Sequence, residues 1–258
     1  MATLKGILFD CDGVLAETER DGHRVAFNNT FEKFGLPFRW QPEEYAEYVK
    51  IGGGKNRIRN YLDQRDWDFP DLPESEAERQ DYVNSLHKSK SESFIEIVDS
   101  GKLPARPGVR RLIQEALEND LTVAVVSSSA VASVEKVLLH VVGEEMAAKI
   151  RVFGGEHVTN SKPDPELYLY ALGELGLNPE DVVVVEDTRI GCLAGTRAGC
   201  KVLITPSHYS HNEDFEGATA IVSCLGSEEE PAKLLKGSPE ILDEQLVTVG
   251  TLRKMLER

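Results

Sequence analysis

Positive charge is scarce in this chain. Lys and Arg number 29 against 44 Asp and Glu, a formal net charge of −15. A nucleic-acid partner needs a basic surface, and this balance argues against one. Nor would the bulk field attract an anionic substrate, so any phosphate site must be locally cationic, built from a metal ion, Lys or Arg. Cysteine is sparse too. Cys11, Cys192, Cys200 and Cys224 form no Cys-x-x-Cys pair, which argues against structural zinc and for a reducing compartment. No apolar run reaches the roughly 20 residues of a membrane span, so no membrane partner is expected. Internal repeats and low-complexity tracts are missing. No secretory signal is visible, because the first strand is expected almost at Met1. The chain is expected either to be cytosolic or to have lost a targeting peptide. Its 258 residues, 41% hydrophobic and 28% charged, suit a soluble core with room for a smaller second domain.

The stretch that organises the rest is Gly6-Ile7-Leu8-Phe9-Asp10-Cys11-Asp12-Gly13. A short apolar run ending in polar residues predicts a buried strand. Asp10 and Asp12 then stand where the strand gives way to loop, the end at which parallel α/β sheets bind ligands. Two acids there can share two jobs: one binds a hard cation through oxygen, and one acts as a nucleophile. The bland alternative is a turn rich in aspartate. A calcium loop would need Glu at its twelfth position counted from Asp10, and positions 21 and 22 are Asp and Gly. Cys11, between the two acids, is expected to be a small buried filler.

Residues 17–34 are expected to form a helix whose Phe27, Phe31 and Phe34 make a core stripe. Glu17 and His23 lie near its start, either as surface residues or, close to the acids, as functional ones. Helices are expected over 42–50 and 55–65 and over about 75–98, with loop at 66–74. Between the first two lies Gly52-Gly53-Gly54-Lys55-Asn56-Arg57. Glycines free backbone N–H groups to approach an anion at a helix N-terminus, and Lys55 and Arg57 add charge. The alternative is a flexible loop with solvated bases. Residues 16–101 thus form an all-helical insertion between the first strand, in residues 1–15, and an α/β region over 102–258.

From residue 108 helices alternate with strands expected at 121–126, 150–153, 181–185, 201–205 and near 219–222. The strand at 121–126 ends in Ser127-Ser128-Ser129, hydroxyls able to donate to a phosphoryl oxygen or to cap the following helix. The strand at 150–153 leads to Ser161-Lys162-Pro163-Asp164-Pro165, with Asp164 as expected N-cap and Lys162 as a fixed cation. The strand at 181–185 ends in Glu186-Asp187. Parallel strands carry these ends to one sheet edge. There Asp-x-Asp, Ser, Lys and Glu-Asp make a phosphoryl-transfer site: the acids bind Mg²⁺, Lys162 and Ser127 steady phosphoryl oxygens, and one aspartate attacks.

These four motifs, Asp10-Cys11-Asp12-Gly13-Val14-Leu15, Ser127, Lys162 and Glu186-Asp187, resemble those of the haloacid-dehalogenase superfamily. The resemblance implies a Rossmann-like parallel-sheet core with a small helical cap inserted after the first strand. It also implies Asp10 as nucleophile, Asp12 as general acid and base, and Mg²⁺ held by Asp10, the backbone carbonyl of Asp12 and Asp187, with Glu186 nearby. Further stretches, among them Gly52-Gly53-Gly54-Lys55 and Arg106-Pro107-Gly108-Val109, resemble the CbbY-like phosphatases, and some, such as Asp21-Gly22-His23, their plant and algal chloroplast members. That likeness implies a small phosphorylated sugar, xylulose 1,5-bisphosphate, as substrate, its removal relieving an inhibition of Rubisco. It implies a stromal location; a monomer is expected. Glu17, Gly53, Gly54, Lys55 and Arg57 would hold the sugar and its distal phosphate, Ser128 and Ser129 would assist Ser127, and His23 would couple cap closure to the acid. The rival readings are a phosphosugar mutase of the β-phosphoglucomutase type, a broad-specificity sugar phosphatase and a catalytically silent binding protein.

Overall fold

A computed structural model describes residues 3–63, 73, 75–242 and 244–257. The chain divides into two compact units. One comprises the chain up to Glu17 together with that from Pro104 onward; the other runs from Thr18 to Leu103.

The first unit is built on a seven-stranded sheet in the order β3-β2-β1-β4-β5-β6-β7. Its strands are β1 (Gly6–Phe9), β2 (Thr122–Val126), β3 (Arg151–Phe153), β4 (Val182–Glu186), β5 (Lys201–Ile204), β6 (Ala220–Val222) and β7 (Leu234–Lys236). All neighbouring pairs are parallel except β6 with β7. β1 and β4 are buried throughout. That fits their unbroken apolar runs: a strand covered by helices on both faces has no polar side to alternate with. The covering helices of this unit are α5 (Val109–Glu118), α6 (Val131–Val142), α7 (Glu144–Ala147), α8 (Glu166–Leu175), α9 (Arg189–Arg197) and α10 (Val249–Leu256). The register sets Phe9 level with both Val125 and Val185, and Glu186 level with Ile204. The residues just beyond these strands therefore emerge at one edge, with β1 at the centre.

The second unit opens with a π-helical turn, Thr18–His23, that feeds α1 (Arg24–Lys33); α2 (Pro42–Tyr48), α3 (Gly54–Asp63) and α4 (Glu76–Asp99) follow. Phe27 and Phe31 are buried against Trp40, whose ring centroid lies 4.9 Å from each. Asn28 pins that tryptophan: Trp40 N–H donates to Asn28 Oδ1 at 2.8 Å, and Asn28 Nδ2 donates to the Trp40 carbonyl at 3.0 Å. Phe34, beyond the end of α1, is only partly buried.

Several boundaries differ from the sequence expectation for local reasons. Helix α8 begins at Glu166, and Asp164 caps it by accepting the Glu166 N–H at 2.9 Å. Asp181 does not enter β4. Its carboxylate accepts from Lys5 Nζ at 2.6 Å and from Thr3 N–H at 3.2 Å. The antiparallel edge strand β7 was not anticipated, because a three-residue strand bounded by Pro231 and Gly237 is too short for its periodicity to register. The loop expected at 66–74 falls, apart from Pro73, outside the described residues.

Candidate active site

Asp10 leaves β1 with its N–H donated to the Val185 carbonyl at 2.9 Å, so the next strand fixes its backbone. Lys162 reaches it from the loop before α8. The ammonium donates to Asp10 Oδ1 and to Glu186 Oε1, at 2.6 Å each, and to the Val126 carbonyl at 2.9 Å. Tyr168, on α8, donates its hydroxyl to the same Glu186 oxygen at 2.7 Å. The other Glu186 oxygen accepts the Asp187 N–H at 3.2 Å. Glu186 is thus occupied as the anchor of Lys162. A side chain at Gly191 would put its Cβ 2.0 Å from the Glu186 carboxyl carbon, so only glycine lets the first turn of α9 pass there.

Asp12 faces a different set of partners. Its Oδ2 accepts from Ser129 Oγ at 2.5 Å, and Ser127 Oγ lies 3.5 Å away. Ser127 Oγ also accepts the Ser129 N–H at 3.1 Å. The serines do not cap α6, one of the two roles foreseen for them. Glu156 does, accepting the Val131 N–H at 3.0 Å. Ser128 is exposed beside them. Glu17 accepts the His208 N–H at 3.2 Å and lies 3.5 Å from Arg106.

The haloacid dehalogenase-like hydrolase family matches residues 7–205. A CBBY-like protein of Arabidopsis thaliana is 42% identical over 94% of this chain and 76% of its own length. Protein CbbY of Cereibacter sphaeroides is 34% identical over 85% of this chain and 91% of its own. The crystal structure of a CbbY mutant from Rhodobacter sphaeroides in complex with xylulose 1,5-bisphosphate superposes with a TM-score of 0.76. It is 33% identical and covers 86% of this chain and 95% of that one. This chain belongs to the haloacid dehalogenase-like hydrolases. Among them it is CbbY-like, and it is a phosphatase.

The electrostatics of this hydrolase site favour a cation. Asp10, Glu186 and Asp187 are buried and offer oxygens within 4.8 Å of one another. Lys162 supplies one positive charge against three carboxylates. Burial, opposed by Lys162 and reinforced by Glu186 and Asp12, pushes the Asp10 carboxyl up to about 8. Burial likewise pushes Asp187 well above the usual carboxylate range, with Asp10 and Glu186 adding to it. Burial works against the Lys162 charge, but the two carboxylates outweigh it and raise its pKa above the ordinary lysine value. Asp187 Oδ1 is buried and has no hydrogen-bond partner among the described residues. An orphaned carboxylate oxygen beside surplus buried negative charge is what a hard divalent ion relieves, so the residues present fit Mg²⁺. The Asp12 carboxylate, expected near the metal only through its backbone, is not in this triad. Cys11 is buried, and burial raises its thiol well above the ordinary value, leaving it inert filler.

The helical unit holds the remaining predicted residues. Lys55 is exposed on the first turn of α3, which Gly54 opens. The Gly53 carbonyl accepts the Arg57 N–H at 3.1 Å. Arg57 departs from the expectation of a free phosphate-binding cation. It is buried, with Nη1 donating to Glu19 at 2.8 Å and to Tyr45 Oη at 2.7 Å, and with Nε donating to the Ile51 carbonyl at 2.8 Å. A guanidinium so engaged ties the start of α3 to the turn before α1 and to α2. His23 is also buried, its Nδ1 2.8 Å from Lys90 Nζ and its ring 4.0 Å from that of Phe94.

Sequence reasoning missed Lys90, His87 and Tyr168. Lys90 carried a visible signal: it interrupts the buried spacing Leu86, Phe94, Val98 on α4. His87 sits among cations; burial first, then Lys90, Lys55 and His23, lower its pKa to about 4. Tyr168 had no signal, because tyrosine on an apolar helix face is ordinary core.

Proposed function

We propose that this phosphatase is Mg²⁺-dependent and hydrolyses a sugar bisphosphate, xylulose 1,5-bisphosphate, through an aspartyl-phosphate intermediate. The observation that carries the chemistry is Lys162 bridging Asp10 and Glu186 beside the orphaned oxygen of Asp187. Asp10, the backbone carbonyl of Asp12 and Asp187 would hold Mg²⁺, with Glu186 orienting Lys162. The ion would neutralise the carboxylates and screen the phosphate's negative charge.

The protein's own groups then act in two stages. An Asp10 carboxylate oxygen forms a bond to phosphorus as the bond from phosphorus to the sugar oxygen breaks. The departing oxygen takes the proton of Asp12. Water then attacks the phosphorus, Asp12 accepts its proton, and phosphate leaves Asp10. Ser129 holds Asp12 by one oxygen, and Lys162 with Ser127 offers positive charge and a hydroxyl to the phosphoryl oxygens. Lys55, with Gly53, Gly54 and Glu17, takes the sugar and its second phosphate, and the cations around His87 favour that anion. His23, buried beside Lys90, would couple closing of the helical unit to the acid.

The substrate reading is supported by the CbbY complex with xylulose 1,5-bisphosphate. A place in the chloroplast stroma, clearing an inhibitor of Rubisco, is supported by likeness to plant members such as the Arabidopsis relative. Phosphate release with Mg²⁺ from xylulose 1,5-bisphosphate, ribulose 1,5-bisphosphate, β-glucose 1-phosphate and fructose 1,6-bisphosphate tests the reading. Strong preference for the first is expected. Even rates across the four, or phosphate shifted on the sugar without release, would overturn the substrate and favour a broad phosphatase or a mutase. An Asp10→Asn variant is expected to bind without turnover; full turnover would refute the nucleophile.

A further inference from the structure

Arg106 lies on no strand or helix, yet it is only 8% exposed. Its guanidinium collects three main-chain carbonyls from two separate loops. Nη1 donates to the Gly13 carbonyl, and also to that of Thr205 at 2.7 Å; Nη2 donates to that of Pro206 at 2.8 Å. Its own N–H donates to the Leu15 carbonyl at 2.9 Å.

Those loops close on Asp187 from two sides. Gly13 has φ +82°, and a Cβ there would fall 2.1 Å from Asp187 Oδ2 and 3.0 Å from Ser207 Cβ. On the other side the Ser207 N–H donates to Ser210 Oγ at 2.8 Å, and Ser210 Oγ donates to Asp187 Oδ2 at 3.4 Å. One carboxylate oxygen is therefore committed to the loops. The other, Oδ1, is buried and unpartnered among the described residues.

We propose that Arg106 is a positioning residue for the metal site. Its planar fork clamps the loop after β1 to the loop after β5, so that Asp187 is held by Oδ2 and presents Oδ1 to the divalent ion. The inference rests on the Mg²⁺-dependent reading above. Lysine could not replace the fork, because an ammonium is a point donor that cannot span three carbonyls in one plane. Groups that orient metal ligands typically alter metal affinity about 10–100-fold when changed.

The test is Mg²⁺ titration of the whole substrate-free chain by calorimetry, comparing wild type with Arg106→Lys. Arg111→Lys is the control, because Arg111 also clasps carbonyls, those of Leu225 and Val247, at 2.9 and 2.8 Å. The Mg²⁺ Kd is expected to rise about tenfold or more in Arg106→Lys and to stay at the wild-type value in Arg111→Lys. Excess Mg²⁺ should recover much of the lost kcat/KM in the former. If Arg106→Lys does not fold, Ser210→Ala removes the next link and is expected to weaken Mg²⁺ in the same sense. A folded Arg106→Lys with unchanged Kd overturns the proposal, as does an equal loss in Arg111→Lys or an unchanged Kd in Ser210→Ala. A wild type that binds no Mg²⁺ overturns the proposed function and this inference with it.

Discussion

Replacing Lys162 by Met keeps the length of the side chain and removes its charge. The ammonium is 4% exposed and sits 2.6 Å from two carboxylates that are themselves 10% and 1% exposed. Removing one partner of a buried ion pair costs about 3–5 kcal/mol, because the charge left behind is neither solvated nor paired. Here the loss is tempered. Burial already pushes the Asp10 carboxyl up to about 8 in the presence of Lys162, so at neutral pH the metal-free site holds a proton on Asp10 with or without the lysine, and the charge left unpaired is that of Glu186. About 3 kcal/mol at neutral pH is therefore expected. At about 2–4 °C per kcal/mol for a unit of this size, the metal-free thermal midpoint should fall by about 6–12 °C. Activity should suffer more. The attacking carboxylate and the phosphoryl oxygens both lose a fixed cation, so kcat should fall at least about 10²–10³-fold. Differential scanning fluorimetry in chelator, with and without Mg²⁺, and phosphate release on the same samples measure both. A midpoint within about 2 °C of wild type together with kcat within about tenfold would refute the account of Lys162 as the charge that holds this site together.

Three further outcomes are expected. In the metal-free protein the folded state keeps a proton on Asp10 that the unfolded chain, with an ordinary aspartate carboxyl at 3.8, releases. Stability from this group is therefore present at acid pH and is lost as pH climbs from about 4 to about 8. Mg²⁺ binding as proposed would displace that proton, so the rise in midpoint on adding Mg²⁺ should grow across the same window, and a flat response would contradict it. Gly13→Ala must place a Cβ 2.1 Å from Asp187 Oδ2 at a φ of +82°. It should abolish measurable Mg²⁺ binding and lower kcat at least about 100-fold, and calorimetry that finds wild-type affinity would refute the close approach. Arg57→Met should destabilise the helical unit by about 3 kcal/mol, seen as faster proteolysis within residues 18–103. A raised KM with unchanged proteolysis would instead restore Arg57 to substrate binding.

The parallel core was legible because its strands are unbroken apolar runs that end in polar residues. Val182–Glu186 and Gly6–Phe9 could be read as buried strands from pattern alone, and with them Asp10, Glu186 and Asp187 at one edge. Lys162 was found through its loop, but its contacts could not be, since Val126, Tyr168 and Glu186 meet it only in three dimensions. The burial of Arg57 was not legible, because three glycines before Lys55 and Arg57 read locally as a phosphate grip, whereas Glu19, Tyr45 and the Ile51 carbonyl that enclose the guanidinium lie scattered along the chain. The capping of α6 by Glu156 was hidden for the same reason: the carboxylate comes from 25 residues away.

Where the helical segment leaves the core and where it returns, the two strands of chain are stitched together. Ala16 bridges Ala105, and the Arg106 N–H donates to the Leu15 carbonyl. The core therefore offers a single closed port with adjacent ends, and the ladder of the sheet does not pass through it. Segments whose termini lie close together are those a host fold accepts most readily. None of Asp10, Asp12, Ser127, Lys162, Glu186 and Asp187 lies between Thr18 and Leu103. Evolution can thus exchange or reshape everything plugged into that port while inheriting the reaction intact, which makes the inserted helices the natural place for new substrates to be learned.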